Sequence, residues 1–273
     1  MKPYIVLLLF FFAAIRLSAQ TGTFNTVIDP DEGDSNNNPV CIVASEDGLL
    51  VVSASLCFGN SLGCTDMVKI DWNADILWKK LFLNLPYGFS PSQGNTILNS
   101  QGNYVMLGGT RFQDTIAKFI MEISPTGDSL TLQTFGWKVG AMGKLTQMSD
   151  STYLILYTKG EYPIYAHPVL AFLNTNSMTT VWEKYINEFP WGSGVDMCLT
   201  ENEWIISYQV AQGPIDYLYL TYTDTAGNVR SNIPVNPVTD GQCIGKVVYL
   251  GNGNLAVSWC NDTLIGAWGQ NYG

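Results

Sequence analysis

The chain holds one histidine, His167, placed before Pro168 at the start of an apolar run. No Ser or Cys stands with it in a recognisable nucleophile motif, so there is no triad to propose, and His167 reads as a loop or strand-edge residue. Asp29, Asp31, Glu32 and Asp34 could offer calcium several carboxylate oxygens. They lack the full spacing of an EF-hand loop and read instead as an acidic, Asn-rich linker, DPDEGDSNNNP. The six cysteines show no CxxC and no Cys/His spacing of the zinc kind. No catalytic residue, metal or cofactor is therefore expected. Aromatics offer more. Tyr87, Trp137 and Trp191 recur at matching places, each beside a glycine, and Phe89 follows the first closely. They read either as a rim that stacks on a sugar or grips a peptide, or as rings wedged between neighbouring structural units. Arg111 and Lys159 add positive charge near them, which would suit an anionic glycan or a peptide carboxylate. Tyr87, Phe89, Arg111, Trp137, Lys159 and Trp191 make up the expected ligand face.

The compartment follows from the first nineteen residues. Lys2 supplies a positive start, Tyr4 to Ala14 an unbroken apolar stretch, and Leu17-Ser18-Ala19 a small-residue cleavage site before Gln20. Residues 1–19 are expected to be a signal peptide and 20–273 the folded domain, with an uncleaved anchor as the alternative. The apolar stretch is shorter than the roughly 20 residues a spanning helix needs, and no later one approaches that length. Export makes oxidised cysteines admissible. Cys57 and Cys64 flank the loop FGNSLG, and Cys243 and Cys260 lie nearly symmetrically about Gly251-Asn252-Gly253-Asn254. Both pairs are candidate disulfides, with buried thiols as the other reading; six cysteines allow fifteen full pairings. Without Lys2 and Arg16 the chain carries 11 bases against 23 acids, a net charge of −12. That argues against a nucleic-acid partner, which needs clustered Lys and Arg, and leaves no polybasic patch for anionic lipid.

The elements that must carry these residues repeat. The segment Asp66–Phe82, DMVKIDWNADILWKKLF, reads as strand, tight turn, strand. Variants return at Phe119–Phe135, Val169–Ile186 and Leu218–Val235. Its corner is Asn73-Ala74-Asp75, then Thr126-Gly127-Asp128 and Ala226-Gly227-Asn228, residues that tolerate the positive φ of tight hairpins. In the third repeat the corner is Asn174-Thr175-Asn176-Ser177, one residue longer. A second unit has strands at Leu49–Ser55, Asn103–Gly109, Thr152–Thr158, Glu203–Gln209 and Asn254–Cys260, each after a turn. With Leu50, Tyr104, Tyr153, Trp204 and Leu255 aligned, the spacings are 54, 49, 51 and 51. Together they give four strands, A to D, per repeat. Helical spacing is missing throughout.

A sheet wet on one face should alternate apolar and polar residues. Leu49–Val52, Tyr104–Leu107 and Tyr153–Tyr157 are continuously apolar instead, so both faces must be covered, and only other sheets can cover them. About 50 residues per four-stranded sheet is a propeller period. The expected fold is all-β: a β-propeller of four-stranded antiparallel blades, with four complete repeats and a partial fifth. An extended β-sandwich is the runner-up. The fifth repeat reads as A (Cys243–Leu250), B (Asn254–Cys260) and part of C (Thr263–Trp268). Either Thr23–Ile28 closes a five-bladed ring as its missing D strand, or the chain is a fragment of a larger propeller, the reading preferred. Trp78 and Trp182, at equivalent strand positions, are expected in the core.

Strand C, a D-x-N-G-N-x-x-W corner and strand D resemble bacterial secreted β-propeller repeat proteins. The likeness rests on Asp71-Trp72-Asn73-Ala74-Asp75-Ile76-Leu77-Trp78 and on Asp224-Thr225-Ala226-Gly227-Asn228. It implies an exported propeller, often a type IX secretion cargo. The expected role is a secreted or cell-surface, non-catalytic binding or adhesion module for an unidentified extracellular glycan or protein. The alternative is a propeller enzyme acting on polysaccharide or dependent on a quinone. In a propeller the A–B and C–D turns share one end and the B–C and D–A connections the other. The second set reads as longer (Phe58–Gly63, Arg111–Asp114, Lys159–His167, Gln212–Asp216), so that end is expected to carry the ligand face.

Overall fold

The structure, a computed structural model, describes residues 38–56, 63–82, 88–112, 115–137, 139–161, 165–176, 179–186, 192–212, 215–238, 246–258, 260–261 and 271–272. Every regular element among them is a strand. The first blade is β1 (Asn38–Ser45), β2 (Gly48–Leu56), β3 (Gly63–Ile70) and β4 (Ile76–Phe82). The second is β5 (Gly88–Leu98), β6 (Tyr104–Phe112), β7 (Thr115–Ile123) and β8 (Ser129–Trp137). The third is β9 (Val139–Ser149), β10 (Thr152–Glu161), β11 (Tyr165–Asn174) and β12 (Thr179–Tyr185). The fourth is β13 (Gly192–Leu199), β14 (Glu203–Gln212), β15 (Ile215–Asp224) and β16 (Val229–Val238). Each is an antiparallel sheet of four strands in chain order. Their first strands stand side by side, β1 against β5, β5 against β9 and β9 against β13, with β17 (Lys246–Gly251) next in line. First strands in a row with their sheets splayed outward make a propeller.

The doubly apolar second strands behave as blade cores must. On β10, Tyr153, Ile155 and Tyr157 pack with Val105, Leu107 and Ile120 of the second blade. The residues between, Leu154 and Leu156, pack with Trp204, Ile206 and Tyr208 of the fourth. Because side chains alternate across a strand, one continuous apolar run supplies two interfaces. The pairing also corrects the repeat alignment. Ile70 pairs with Leu49, as Ile123 does with Tyr104, Leu173 with Tyr153 and Thr223 with Trp204. Leu49, not Leu50, is thus the equivalent of those aromatics; Leu50 faces the second blade.

The corners between third and fourth strands are built alike. Asp71 Oδ1 accepts the backbone N–H of Asn73 at 2.8 Å and of Asp75 at 2.9 Å. Asp224 Oδ1 does the same for Ala226 at 3.0 Å and Asn228 at 2.8 Å, and Ser124 Oγ accepts from Asp128 N at 3.0 Å. The fourth corner residue takes a left-handed conformation: Ala74 at φ 74°, Gly127 at 85° and Gly227 at 79°. Trp78 and Trp182 pack against the cores that their blades share with the next. Each is half-buried and lies on the next blade's corner. A Cβ on Gly127 would come within 3.0 Å of the Trp78 ring, and one on Gly227 within 2.8 Å of Trp182. Trp78 Nε1 also donates to Pro125 O at 2.8 Å, while Lys184 Nζ donates to Ala226 O at 2.7 Å and to Asn228 Oδ1 at 2.6 Å. The tryptophans latch the first blade to the second and the third to the fourth.

Strand ends depart most from expectation. The second strands run on to Phe112, Glu161 and Gln212, with Phe112↔Thr115, Glu161↔Tyr165 and Gln212↔Ile215 as last pairs. Arg111 and Lys159 therefore sit in strands, not loops, as do Phe89 in β5 and Trp137 at the end of β8. These B–C connections are as short as the opposite turns. Polar residues at a ladder's end cost the backbone nothing, since the paired N–H and C=O groups are the same for any side chain. In the fifth repeat the A strand is β17 and the B strand is β18 (Asn254–Ser258), which ends before Cys260. Cys260 belongs to a separate pair, β19 (Cys260–Asn261) with β20 (Asn271–Tyr272). Residues 1–37, Cys57, Cys243 and the expected C strand Thr263–Trp268 lie outside the described residues. Of the remaining cysteines, Cys41 and Cys198 are free thiols.

Candidate functional site

Tyr87 and Trp191 lie outside the described residues, and for Phe89, Arg111 and Trp137 only the backbone is described. Lys159 is the one expected ligand-face residue whose surroundings are on view. It stands near the end of β10, pairing with His167 on β11. Its Nζ donates to Glu183 Oε1 at 2.5 Å, and the Tyr157 hydroxyl donates to Glu183 Oε2 at 2.5 Å. Beside them, the His167 ring meets Tyr185 edge-on, with centroids 5.7 Å apart and planes at 83°.

Strand alternation brings this group together. Glu183 pairs with Ala171 and Tyr185 with Val169 across β12 and β11. Ala171, Val169 and Tyr157 belong to the core shared with the second blade, so Glu183 and Tyr185 share that face. Trp182 and Lys184, between them, face the fourth blade. The result is a polar rim on an apolar interface. Tyr185 is 55% exposed, and the Lys159 and Glu183 side chains are 36% and 26% exposed. Tyr157, Glu183 and Tyr185 were not singled out from sequence; the Val181-Trp182-Glu183-Lys184-Tyr185 alternation was the only available signal.

The electrostatics suit recognition better than proton transfer. Burial, then the hydrogen bond to Glu183, pushes the Tyr157 hydroxyl well above the usual tyrosine range. The Glu183 hydrogen bond outweighs burial and raises Lys159. Both groups keep their protons at neutral pH and act as fixed donors. Of the two positive charges expected near the aromatics, Lys159 is compensated by Glu183.

Other buried charges tie blades together. Lys69, 1% exposed, donates to Tyr104 Oη of the second blade at 2.7 Å and pairs with Asp47 at 2.6 Å. Lys144 pairs with Asp196 at 3.0 Å, and Asp196 Oδ2 accepts Val247 N at 3.2 Å, linking the inner strands of three successive repeats. Lys118 is fully buried, and desolvation pushes it down to about 8. Among the described residues no group of three or more His, Cys, Asp and Glu could hold a metal ion, and no helix is long and apolar enough to cross a membrane.

No protein-family model matches the chain, and no curated protein matches it in sequence. Solved structures do. A puromycin hydrolase mutant complexed with PGG matches at 12% identity and TM-score 0.52, covering 87% of this chain and 38% of that one. The GH43 BlXynB protein from Bacillus licheniformis matches at 13% identity and TM-score 0.49, covering 83% and 49%. The β-propeller domain of the Trilobed protease from Pyrococcus furiosus matches at 5% identity and TM-score 0.45, covering 84% and 69%. The likeness is one of fold alone, and this chain spans 38% of the length of the first.

Proposed function

We propose that this chain is an exported, non-catalytic binding propeller whose ligand is an extracellular glycan. The observation that carries the reading is Tyr185: a half-exposed aromatic ring beside an acceptor, Glu183, held by two fixed donors, Tyr157 and Lys159. An exposed ring offers a flat apolar face to the C–H side of a sugar, and charge-assisted hydrogen-bonding groups beside it meet hydroxyls. Tyr157 and Lys159, both raised, keep their protons at neutral pH and serve as fixed donors, which favours binding over hydrolysis. Export is supported by the positive start, apolar stretch and Leu17-Ser18-Ala19 site of residues 1–19. A glycan and peptide array probed with the purified chain tests the ligand class: binding to glycans is expected, and binding to peptides alone would overturn it. Terminal sequencing of exported protein should begin at Gln20; a chain that keeps residues 1–19 would remove the export argument.

A further inference from the structure

We propose that the ligand lies in the seam between the second and third blades, and that this seam selects a neutral, hydroxyl-rich sugar chain. The proposal rests on the glycan-binding reading above and adds where the glycan sits and which kind it is.

The seams are not alike. Trp78 pairs with Lys69 and Trp182 with Phe172, each immediately before the register shift at its corner. The residues at that place in the second and fourth blades are Thr131, opposite Glu122, and Ser231, opposite Tyr222. Latching tryptophans therefore close the first seam and the third, and the blades work as two pairs. Between the pairs, no described indole stands on the outer rim of the second seam.

That rim carries the polar group instead. Gln133 on β8 pairs with Ile120, which belongs to the same core as Tyr157, Val169 and Ala171. Gln133 thus stands on the face of the second blade that meets Glu183 and Tyr185 of the third. Its Oε1 is buried with no hydrogen-bond partner, and so is Nδ1 of His167. A buried polar atom left unpaired is costly, and the two occur on facing sides of one seam. Hydroxyl groups, which both donate and accept, are the chemistry that satisfies such atoms. Glu183 compensates Lys159, so that lysine offers no free cation to a uronic acid or sulfate. The exposed Tyr185 ring provides the stacking face.

The test uses the full chain, titrated calorimetrically with neutral gluco-, xylo- and manno-oligosaccharides and with oligogalacturonides. A neutral oligosaccharide should bind, and both Tyr185→Ala and Gln133→Leu should weaken it at least tenfold. In the unmodified chain, the same sugar should slow amide exchange in residues 131–135 and 181–185, a readout that needs no variant to fold. If the neutral sugar binds while both variants keep full affinity, or protection appears elsewhere, the seam assignment falls and the glycan reading stands. If only oligogalacturonides bind, neutrality is wrong. If no sugar binds and a peptide does, both proposals fall.

Discussion

Gly227 and Gly102 have nearly the same backbone conformation, φ +79° and +80°, but opposite surroundings. A Cβ on Gly102 meets nothing within 4 Å; one on Gly227 lies 2.8 Å from Trp182 Cη2 and 2.9 Å from Cζ3. The indole cannot swing away freely. It is stacked on Phe172 at 5.8 Å and 12°, and Lys184 Nζ sits 5.5 Å from its ring centre. Gly102→Ala should therefore cost only the left-handed backbone penalty, about 1 kcal/mol. Gly227→Ala adds overpacking of about 1–3 kcal/mol. At about 2–4 °C per kcal/mol for a chain of this size, its Tm should fall on the order of 10 °C, against a few degrees for Gly102→Ala. Urea denaturation of both variants, alone and in a Trp182→Ala background, isolates the latch. Without the indole, Gly227→Ala should cost no more than Gly102→Ala. Equal costs in the unmodified background would refute the latch, and with it the pairing of blades on which the seam argument draws.

Three further outcomes follow from particular residues. Ala74 occupies the latch-glycine position at φ 74°, so Ala74→Gly should release strain and stabilise the chain by about 0.5–1 kcal/mol; a loss of stability would mean the methyl group packs usefully. Lys118 is pushed down from 10.5 to about 8. Below the lower value it is charged both folded and unfolded, and the folded state bears the whole desolvation cost. Between the two values the unfolded chain binds more protons, so stability rises with pH. Lys118→Met should then stabilise at pH 7 by up to about 3 kcal/mol, with the gain shrinking as pH climbs above about 8; a gain that does not vary with pH would show that burial of the ammonium is not the cause. Finally, Cys64 pairs with Ser55 one rung from the end of the β2–β3 ladder, and the expected Cys57–Cys64 bridge can be read chemically. Non-reducing peptide mapping should recover these two joined and Cys41 and Cys198 alkylated; Cys57 and Cys64 recovered separately would exclude the bridge.

The architecture was legible because its signals are local. A run such as Tyr153–Tyr157, apolar at every position, demands cover on both faces whatever surrounds it, and the corners Asp71–Ala74, Ser124–Gly127 and Asp224–Gly227 carry their own hydrogen bonds and their own positive φ. Period, strand order and blade arrangement follow from those two facts. Strand ends were not legible. Arg111 and Lys159 look like loop residues by polarity, yet backbone pairing continues past them because a ladder does not depend on side-chain type. The one-residue slip between Leu49 and Leu50 has a related cause: both are apolar, so hydrophobicity cannot say which faces which neighbour, and only pairing with Ile70 decides. Contacts between blades were least legible of all. Trp78 meets Gly127 of the next blade across 49 residues of sequence, and Lys69 meets Tyr104 across 35. Their partnership depends on how sheets stack and on which alternate side chain each strand presents. The sequence alone determined that blades exist and which residues are apolar enough to join them; the packing of blade on blade decided which tryptophan became a latch and which seam was left open, and strand pairing within the third blade decided which lysine lost its charge to a neighbour, because those depend on distances no spacing along the chain encodes.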